Sequence, residues 1–461
     1  MEGYDSHPLA REIVEEYMAK TPGSKARVER AARSLPGGDT RRVSFYSPYP
    51  VFMERGQGCR LYDYDGREYL DMQNNYTSLI HGHAHPGIEE AAMAQLRKGT
   101  VLGSASEIQY LHAEHLRGRV PALEMLRYTN CGTEATMFAL RTARAYTGKT
   151  DIMKMDGGYH GGHEVALVNQ IPDLGAEGPP RVYSEPYLPA GLLNHVKVAP
   201  FNDLAAAEQV ISENKDTLAA VIMEPVMGAG GGVAPEPGYL KGMRELTQKY
   251  GVLLILDEIL TLRLGYGGVQ ELEEIDPDLT ALGKIIGGGF PVGAFGGRRE
   301  IMDLYNPNRE RPIFHSGTFT GNNITLTAGL VALELYTRSE VARLGALGDS
   351  MRAGFNKVLQ KAGLKGQANG LGSLVLVHWG NDQPPRNSKQ AIMSFLRAGE
   401  LTGLLHLEML NRGVHGAPRG LYCLSTPMTA KEISQAVEAF EGAIEKLAPY
   451  VAEKLPYLTV T

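Results

Sequence analysis

The chain has 461 residues, a formal net charge of −6 at neutral pH and 43% hydrophobic residues. That length can bury a large core plus a second domain, and the mild, mixed charge argues against nucleic acid or an anionic membrane as partner. Three widely separated cysteines (Cys59, Cys131, Cys423) form no CxxC pair, which excludes a disulfide framework and a thiolate metal site, and no apolar run approaches the about 18 residues of a membrane-spanning helix.

The first 35 residues read as helical, charged and amphipathic rather than as a signal peptide, until Leu35-Pro36-Gly37-Gly38 breaks the pattern. A cytoplasmic enzyme without a metal is the expectation. Two short strands follow at Val51–Arg55 and Cys59–Tyr64, with a turn at Asp65-Gly66. Leu126–Asn130 is strand-like and Thr133–Tyr146 helix-like. Gln170–Ala190 is a long polar insertion. Leu218–Met223 and Val252–Leu256 are short apolar runs of the kind that form buried parallel strands. Strands alternating with helices predict an α/β sheet covered on both faces. The last 130 or so residues change character. Ser373–His378 and Leu421–Ser425 read as strands, and Thr429-Ala-Lys-Glu432 is a capping box opening a helix that runs to about Tyr450. This is a separate α+β domain.

Five segments carry chemistry. The strand Val252–Leu256 ends in Asp257, where open α/β sheets place their ligands, although an aspartate there can equally cap a helix. Leu282-Gly-Lys284 precedes three consecutive glycines; a lysine amine forms Schiff bases with carbonyl cofactors, and glycines let backbone come close. Thr129-Asn-Cys131-Gly132-Thr133-Glu134 takes the chain from a strand into a helix start, the arrangement that binds phosphate. Asp156-Gly-Gly-Tyr159-His160 offers an aromatic ring in a glycine-rich turn, and His315-Ser-Gly-Thr318-Phe-Thr-Gly-Asn322 is a polar loop suited to phosphate. Each alone is matched by a bland alternative: a solvated lysine, an ordinary N-cap, a loop tyrosine.

Together and in this order they resemble the class III aminotransferases, pyridoxal-phosphate enzymes of fold type I. The resemblance runs from about Arg41 to Pro427 and rests on TNCGTEA, GGYHG, MEP, LILDEI, LGKIIGGGFPVGAFGG and HSGTF. It implies a large, mainly parallel-sheet domain over 76–328 that binds pyridoxal 5′-phosphate, a smaller α+β domain over 329–461, and an N-terminal segment, 1–75, packing with the small domain. It further implies that Lys284 carries the cofactor and moves the proton, and that Asp257 keeps the pyridine nitrogen protonated, which makes the ring a better electron sink. Tyr159 would stack on the ring with His160 beside it, Ile259 would cover the other face, Cys131, Gly132 and Thr133 would meet the phosphate, and Glu224 would lie near the cofactor. Thr318 would reach the phosphate of a neighbouring subunit, implying a homodimer with shared sites. Cys131 stands where the family usually has serine, which shifts phosphate binding towards backbone N–H groups.

Two subfamilies are similar in their opening Pro-Gly-x-x-x-Arg: the β-amino-acid (β-phenylalanine) aminotransferases and glutamate-1-semialdehyde 2,1-aminomutase. Asn75-Tyr76-Thr77-Ser78 resembles the Glu-Tyr-Thr of the former more than the Ser-Trp-Gly of the mutases. Thr261-Leu-Arg263-Leu and His415-Gly-Ala-Pro-Arg419 point the same way. The implied function is transfer of an amino group from a β-amino acid to a keto acid such as 2-oxoglutarate or pyruvate, with the aminomutase as the alternative. Arg41, Tyr76 and Arg419 would hold substrate, since the guanidinium fork suits carboxylates. Arg42 could replace Arg41, and Arg263 reads as structural. A non-catalytic cofactor-binding regulator lacks support, because no basic N-terminal module precedes these segments.

Overall fold

The computed structural model describes residue 4 and residues 7–175, 180–183, 187–380 and 383–460, so parts of the Gln170–Ala190 insertion lie outside the described residues. Two compact units emerge. One contains His85 and the described residues before it, Ala342–Pro384, and the chain from Met393 onwards; the other contains Pro86–Val341 and Pro385–Ile392. The expected divisions were at 75/76 and 328/329. No helix among the described residues is long and apolar enough to cross a membrane.

The first unit opens with two helices, Pro8–Lys20 and Pro22–Ala31, where the sequence predicts one. Pro22 explains the break: it has no N–H, and it pushes Thr21 out of helical geometry, to φ −130. Strands β1 (Met53–Gln57), β2 (Arg60–Asp63) and β3 (Glu68–Asp71) then form an antiparallel meander.

The second unit is built on a seven-stranded sheet. Its strands are β4 (Met125–Thr129), β5 (Asp151–Met155), β6 (Val196–Ala199), β7 (Leu218–Met223), β8 (Leu253–Asp257), β9 (Leu279–Gly283) and β10 (Gly293–Gly297), in the order β4-β10-β9-β8-β7-β5-β6. Only β10 runs against its neighbours. Every residue of β5, β7, β8 and β9 is buried, which is why β7 and β8 up to Leu256 are continuous apolar runs rather than alternating ones; β5 differs in burying Asp151 and Lys154. Ala135, Phe138, Ala139 and Ala143 of the helix Gly132–Thr147 join the sheet's core. Burial of this kind contributes about 25 cal/mol per Å² of apolar surface.

Returning to the first unit, β11 (Gly366–Asn369), β12 (Leu374–Trp379) and β14 (Leu421–Cys423) form a small antiparallel sheet, and β13 (Val414–His415) adds in parallel to β3. The capping box is present at Thr429 and Glu432, and its helix, Ala430–Lys454, continues through Pro449.

Candidate active site

Register brings the predicted residues to one edge of the large sheet. Thr129 of β4 and Gly283 of β9 both pair with Gly293 of β10, and Asp257 of β8 pairs with Ala281. The segments that follow β4, β5, β7, β8 and β9 therefore leave the sheet on one side, carrying Gly132, Tyr159, Glu224, Ile259 and Lys284. Gly293 is required there, because any Cβ would overlap the Cys131 carbonyl.

Lys284 directly follows β9 and has φ +51, left-handed for a residue with a side chain. Such backbone costs on the order of 1–3 kcal/mol and concentrates at functional sites. Asp257 is 3% exposed. Its Oδ2 lies 2.8 Å from His160 Nδ1 and its Oδ1 accepts from Ile259 N at 3.1 Å. His160 is also buried, and its Nε2 has no hydrogen-bond partner among the described residues. Burial holds its pKa below the ordinary value, with Asp257 pulling the other way.

Glu224 accepts from Tyr159 N at 2.9 Å and Gly228 N at 3.0 Å. Burial pushes its carboxyl up to about 7; the Asp257 charge adds to this and Lys284 opposes it, so all three groups share one field. Tyr159 stays 41% exposed, leaving ring surface open to a ligand. Desolvation, then the charges of Asp257, Glu224 and Cys131, raise its hydroxyl pKa.

The helix Gly132–Thr147 begins beside this group, capped by Cys131 without a side-chain bond. Its first turn presents N–H groups that no helix can pair internally. A Cβ at Gly132 would lie 2.7 Å from Ile259 Cδ1, and one at Gly161 would lie 2.6 Å from Thr133 Oγ1. Glycine at these two positions lets the turn, Ile259 and the Tyr159 loop close together. Thr133 Oγ1 accepts from Gly162 N at 3.2 Å, and Thr136 Oγ1 donates to the His160 carbonyl at 2.6 Å. Thr318 stands exposed on its loop and makes no hydrogen bond among the described residues; the preceding Gly317 lies against Asn130.

Arg41, Tyr76 and Arg419 belong to the first unit and are brought together there. Arg41 Cζ lies 5.8 Å from the Tyr76 ring centre. Desolvation raises the Tyr76 hydroxyl pKa, and both arginines act against that rise. Tyr76 OH donates to the Val43 carbonyl. Arg263 is fully buried, consistent with a structural role.

Three features escaped sequence reasoning. Lys154, inside β5, is buried and donates to the Ala166 and Val168 carbonyls at 2.7 and 2.6 Å, tying down the loop that carries Tyr159 and His160; burial pushes its amine down to about 7. His112 Nε2 lies 2.8 Å from the Ile286 carbonyl, two residues after Lys284. Asn74, Asn75, Tyr76 and Thr77 all have positive φ, forming a left-handed turn without glycine. Asparagine pairs tolerate that conformation best and were the available signal.

A family model described as Aminotransferase class-III matches residues 44–443. A curated relative from Methanosphaera stadtmanae, glutamate-1-semialdehyde 2,1-aminomutase, is 38% identical over 435 residues, covering 93% of this chain and 99% of its own. Seven more relatives of 37–39% identity share that activity name. Among solved structures, an omega-transaminase from Sphaerobacter thermophilus is 42% identical, with a TM-score of 0.89 over 94% of this chain and 99% of that one. A transaminase with PLP bound is 35% identical (TM-score 0.86; 93% and 99% covered). A β-phenylalanine aminotransferase from Variovorax paradoxus is 33% identical (TM-score 0.87; 96% and 98% covered).

Proposed function

The chain belongs to the class III aminotransferase family, and on that footing we propose that it is an enzyme that transfers amino groups with pyridoxal 5′-phosphate held at Lys284. The observation that carries this reading is the placement of Glu224, Asp257 and Lys284 at the ends of the neighbouring strands β7, β8 and β9. The residues fit the cofactor. A helix start closed in by Gly132 and Gly161 suits its phosphate, the exposed face of Tyr159 and the side chain of Ile259 suit its ring, and buried Asp257 suits its ring nitrogen. When bound, the cofactor supplies an electron sink for the substrate.

The chain's own groups do the rest. Lys284 is the amine that would hold the cofactor covalently and then take and return the substrate proton, being adjacent to it in either role. Asp257 supplies a fixed negative charge, and His160 orients it. Glu224 holds the Tyr159 and Gly228 backbone in place. Arg41 and Arg419 would bind carboxylates, and Tyr76, which feels both charges, would sit with them. Thr318, exposed on its loop, would complete the site of a second copy in a homodimer. A cytoplasmic location belongs to the same reading.

The curated relatives favour the aminomutase over the expected β-amino-acid transaminase, since eight of them carry that activity. A transaminase is the second reading. It is supported by the likeness to the omega-transaminase and by Asn75–Ser78 and Thr261–Leu264, which depart from the mutase pattern. Turnover of glutamate-1-semialdehyde with no second substrate is the outcome expected of the mutase. Conversion only when a β-amino acid is paired with 2-oxoglutarate or pyruvate is expected of the transaminase. No change in the bound cofactor's visible absorbance with any amine would overturn both.

A further inference from the structure

Arg41 and Arg419 are held by turns that lie far apart in the chain and interlock around one short segment. Arg419 sits on a tight turn closed by a hydrogen bond from Gly420 N to the Ala417 carbonyl at 2.9 Å. Strand β13 leads into this turn and β14 follows it. Met72 is bonded to both legs: its N–H donates to the His415 carbonyl at 2.8 Å, and its carbonyl accepts from Cys423 N at 2.7 Å. The same segment then enters the left-handed turn Asn74–Thr77 that carries Tyr76. Asn74 Nδ2 donates to the Cys423 carbonyl at 2.7 Å and Cys423 Sγ donates to the Gln73 carbonyl at 2.9 Å, which braces that turn from behind. Asn75 Oδ1 accepts from Arg41 Nη1 at 2.7 Å, so Arg41 rests on it as well.

One carboxylate lies at the centre of this arrangement. Asp71, the last residue of β3, is 1% exposed. Its Oδ1 accepts from Gln73 N and Asn74 N at 2.9 and 3.0 Å, fixing the entry to the left-handed turn. His415 stands opposite Asp71 in the β3–β13 register, and its Nδ1 lies 3.6 Å from that same Oδ1, within ion-pair reach. Oδ2 accepts from His83 Nε2 at 2.7 Å, since an ionised carboxylate cannot donate. The His83 ring has room only because residue 56 is glycine: a Cβ there would lie 2.4 Å from His83 Cγ. Burial works to raise the Asp71 carboxyl pKa, yet His415, His83 and the Asn74 N–H outweigh it and hold the group well below the usual carboxylate range.

We propose that Asp71 is a positioning residue for substrate: this one buried carboxylate sets Arg41 and Tyr76 relative to Arg419, so that the two carboxylate-binding arginines stand or shift together. Asp71 touches no substrate in this role and acts only through the turns it anchors. The inference rests on the reading of Arg41 and Arg419 as carboxylate binders given above.

The test uses the full chain loaded with pyridoxal phosphate, with glutarate as an unreactive dicarboxylate probe followed by cofactor absorbance. Asp71→Asn keeps the shape and removes the charge. It should weaken glutarate binding about tenfold and raise KM for carboxylate substrates similarly, while kcat changes less than about threefold. Borohydride-dependent attachment at Lys284, which belongs to the other unit, should match the wild type. Added to Arg41→Ala or to Arg419→Ala, the same change should cost less than about threefold, because a positioning residue has less to act on once an arginine it aims is gone. His83→Gln keeps a donor towards Oδ2 and should stay within about twofold of the wild type, whereas His83→Leu should lose about threefold. His83 is half-buried, and its two variants decide the matter should Asp71→Asn not fold. Unchanged affinity in Asp71→Asn overturns the inference, as does an undiminished loss in both arginine backgrounds, which would make the defect a general one. Equal losses in the two His83 variants overturn it too, as does a wild type that transfers amino groups but ignores glutarate. A wild type that binds glutarate yet transfers no amino group from any donor sinks the proposed function instead.

Discussion

His160 Nδ1 lies 2.8 Å from Asp257 Oδ2, and both side chains are buried. Removing the histidine leaves a buried carboxylate with one fewer donor, a loss of about 1–3 kcal/mol. His160→Leu should therefore lower stability by that amount in denaturant titrations and weaken cofactor retention in equilibrium dialysis. His160→Asn places an amide donor near the original Nδ1 and should recover part of both. Equal defects in the two variants would show that the hydrogen bond is not what matters.

Lys284→Ala should abolish borohydride-dependent attachment of the cofactor, read by mass spectrometry, and lower turnover by at least about a hundredfold. The positive φ adds a second expectation. Lys284→Gly should be more stable than Lys284→Ala by about 1 kcal/mol, because glycine relieves the left-handed strain.

A methyl group at Gly161 would press on Thr133 Oγ1, Cα and Cβ at 2.6–2.9 Å, at a φ of +101. Neither side can give way, since Thr133 is fixed in the first helical turn. Gly161→Ala should cost about 2–4 kcal/mol and reduce affinity for inorganic phosphate and for the cofactor alike. Wild-type phosphate affinity in this variant would remove Thr133 from the cradle.

His112 is buried between Tyr128 OH and the Ile286 carbonyl, each at 2.8 Å, and burial pushes its pKa down to about 4. A base with a depressed folded pKa is neutral in the fold and charged in the unfolded chain below about 6.5. Its contribution is therefore intact above pH 6.5 and lost as pH falls towards 4. The loss amounts to on the order of 3 kcal/mol. Denaturation midpoints measured between pH 7 and 4 should fall less steeply in His112→Gln, though from a lower starting point.

Lys284 and Asp257 were legible because the chemistry fixes residue type and because apolar strands end visibly where charge begins. The strands Leu218–Met223 and Leu253–Asp257 match their predicted runs within a residue for the same reason. The split between Lys20 and Pro22 was legible in principle, since the proline is the signal. Lys154 was not: a lysine inside an apolar strand looks exposed until the Ala166 and Val168 carbonyls are seen around it. Nor was the hold of Asn75 on Arg41, which joins residues 34 positions apart through a left-handed turn with no glycine to announce it.

The pairing of β3 with β13, and the bond from Asn74 to Cys423 spanning 349 positions, carry a consequence for biosynthesis. A ribosome releases the meander β1–β3 before the large sheet, yet its fourth strand and the brace of the Asn74 turn emerge only after the whole of that sheet has been made. The sheet that carries Asp257, with Lys284 just beyond β9, lies wholly between them and can form first. A nascent chain stalled before Val414 should hold a folded central unit and an open meander edge, the species most exposed to chaperones and to edge-to-edge association.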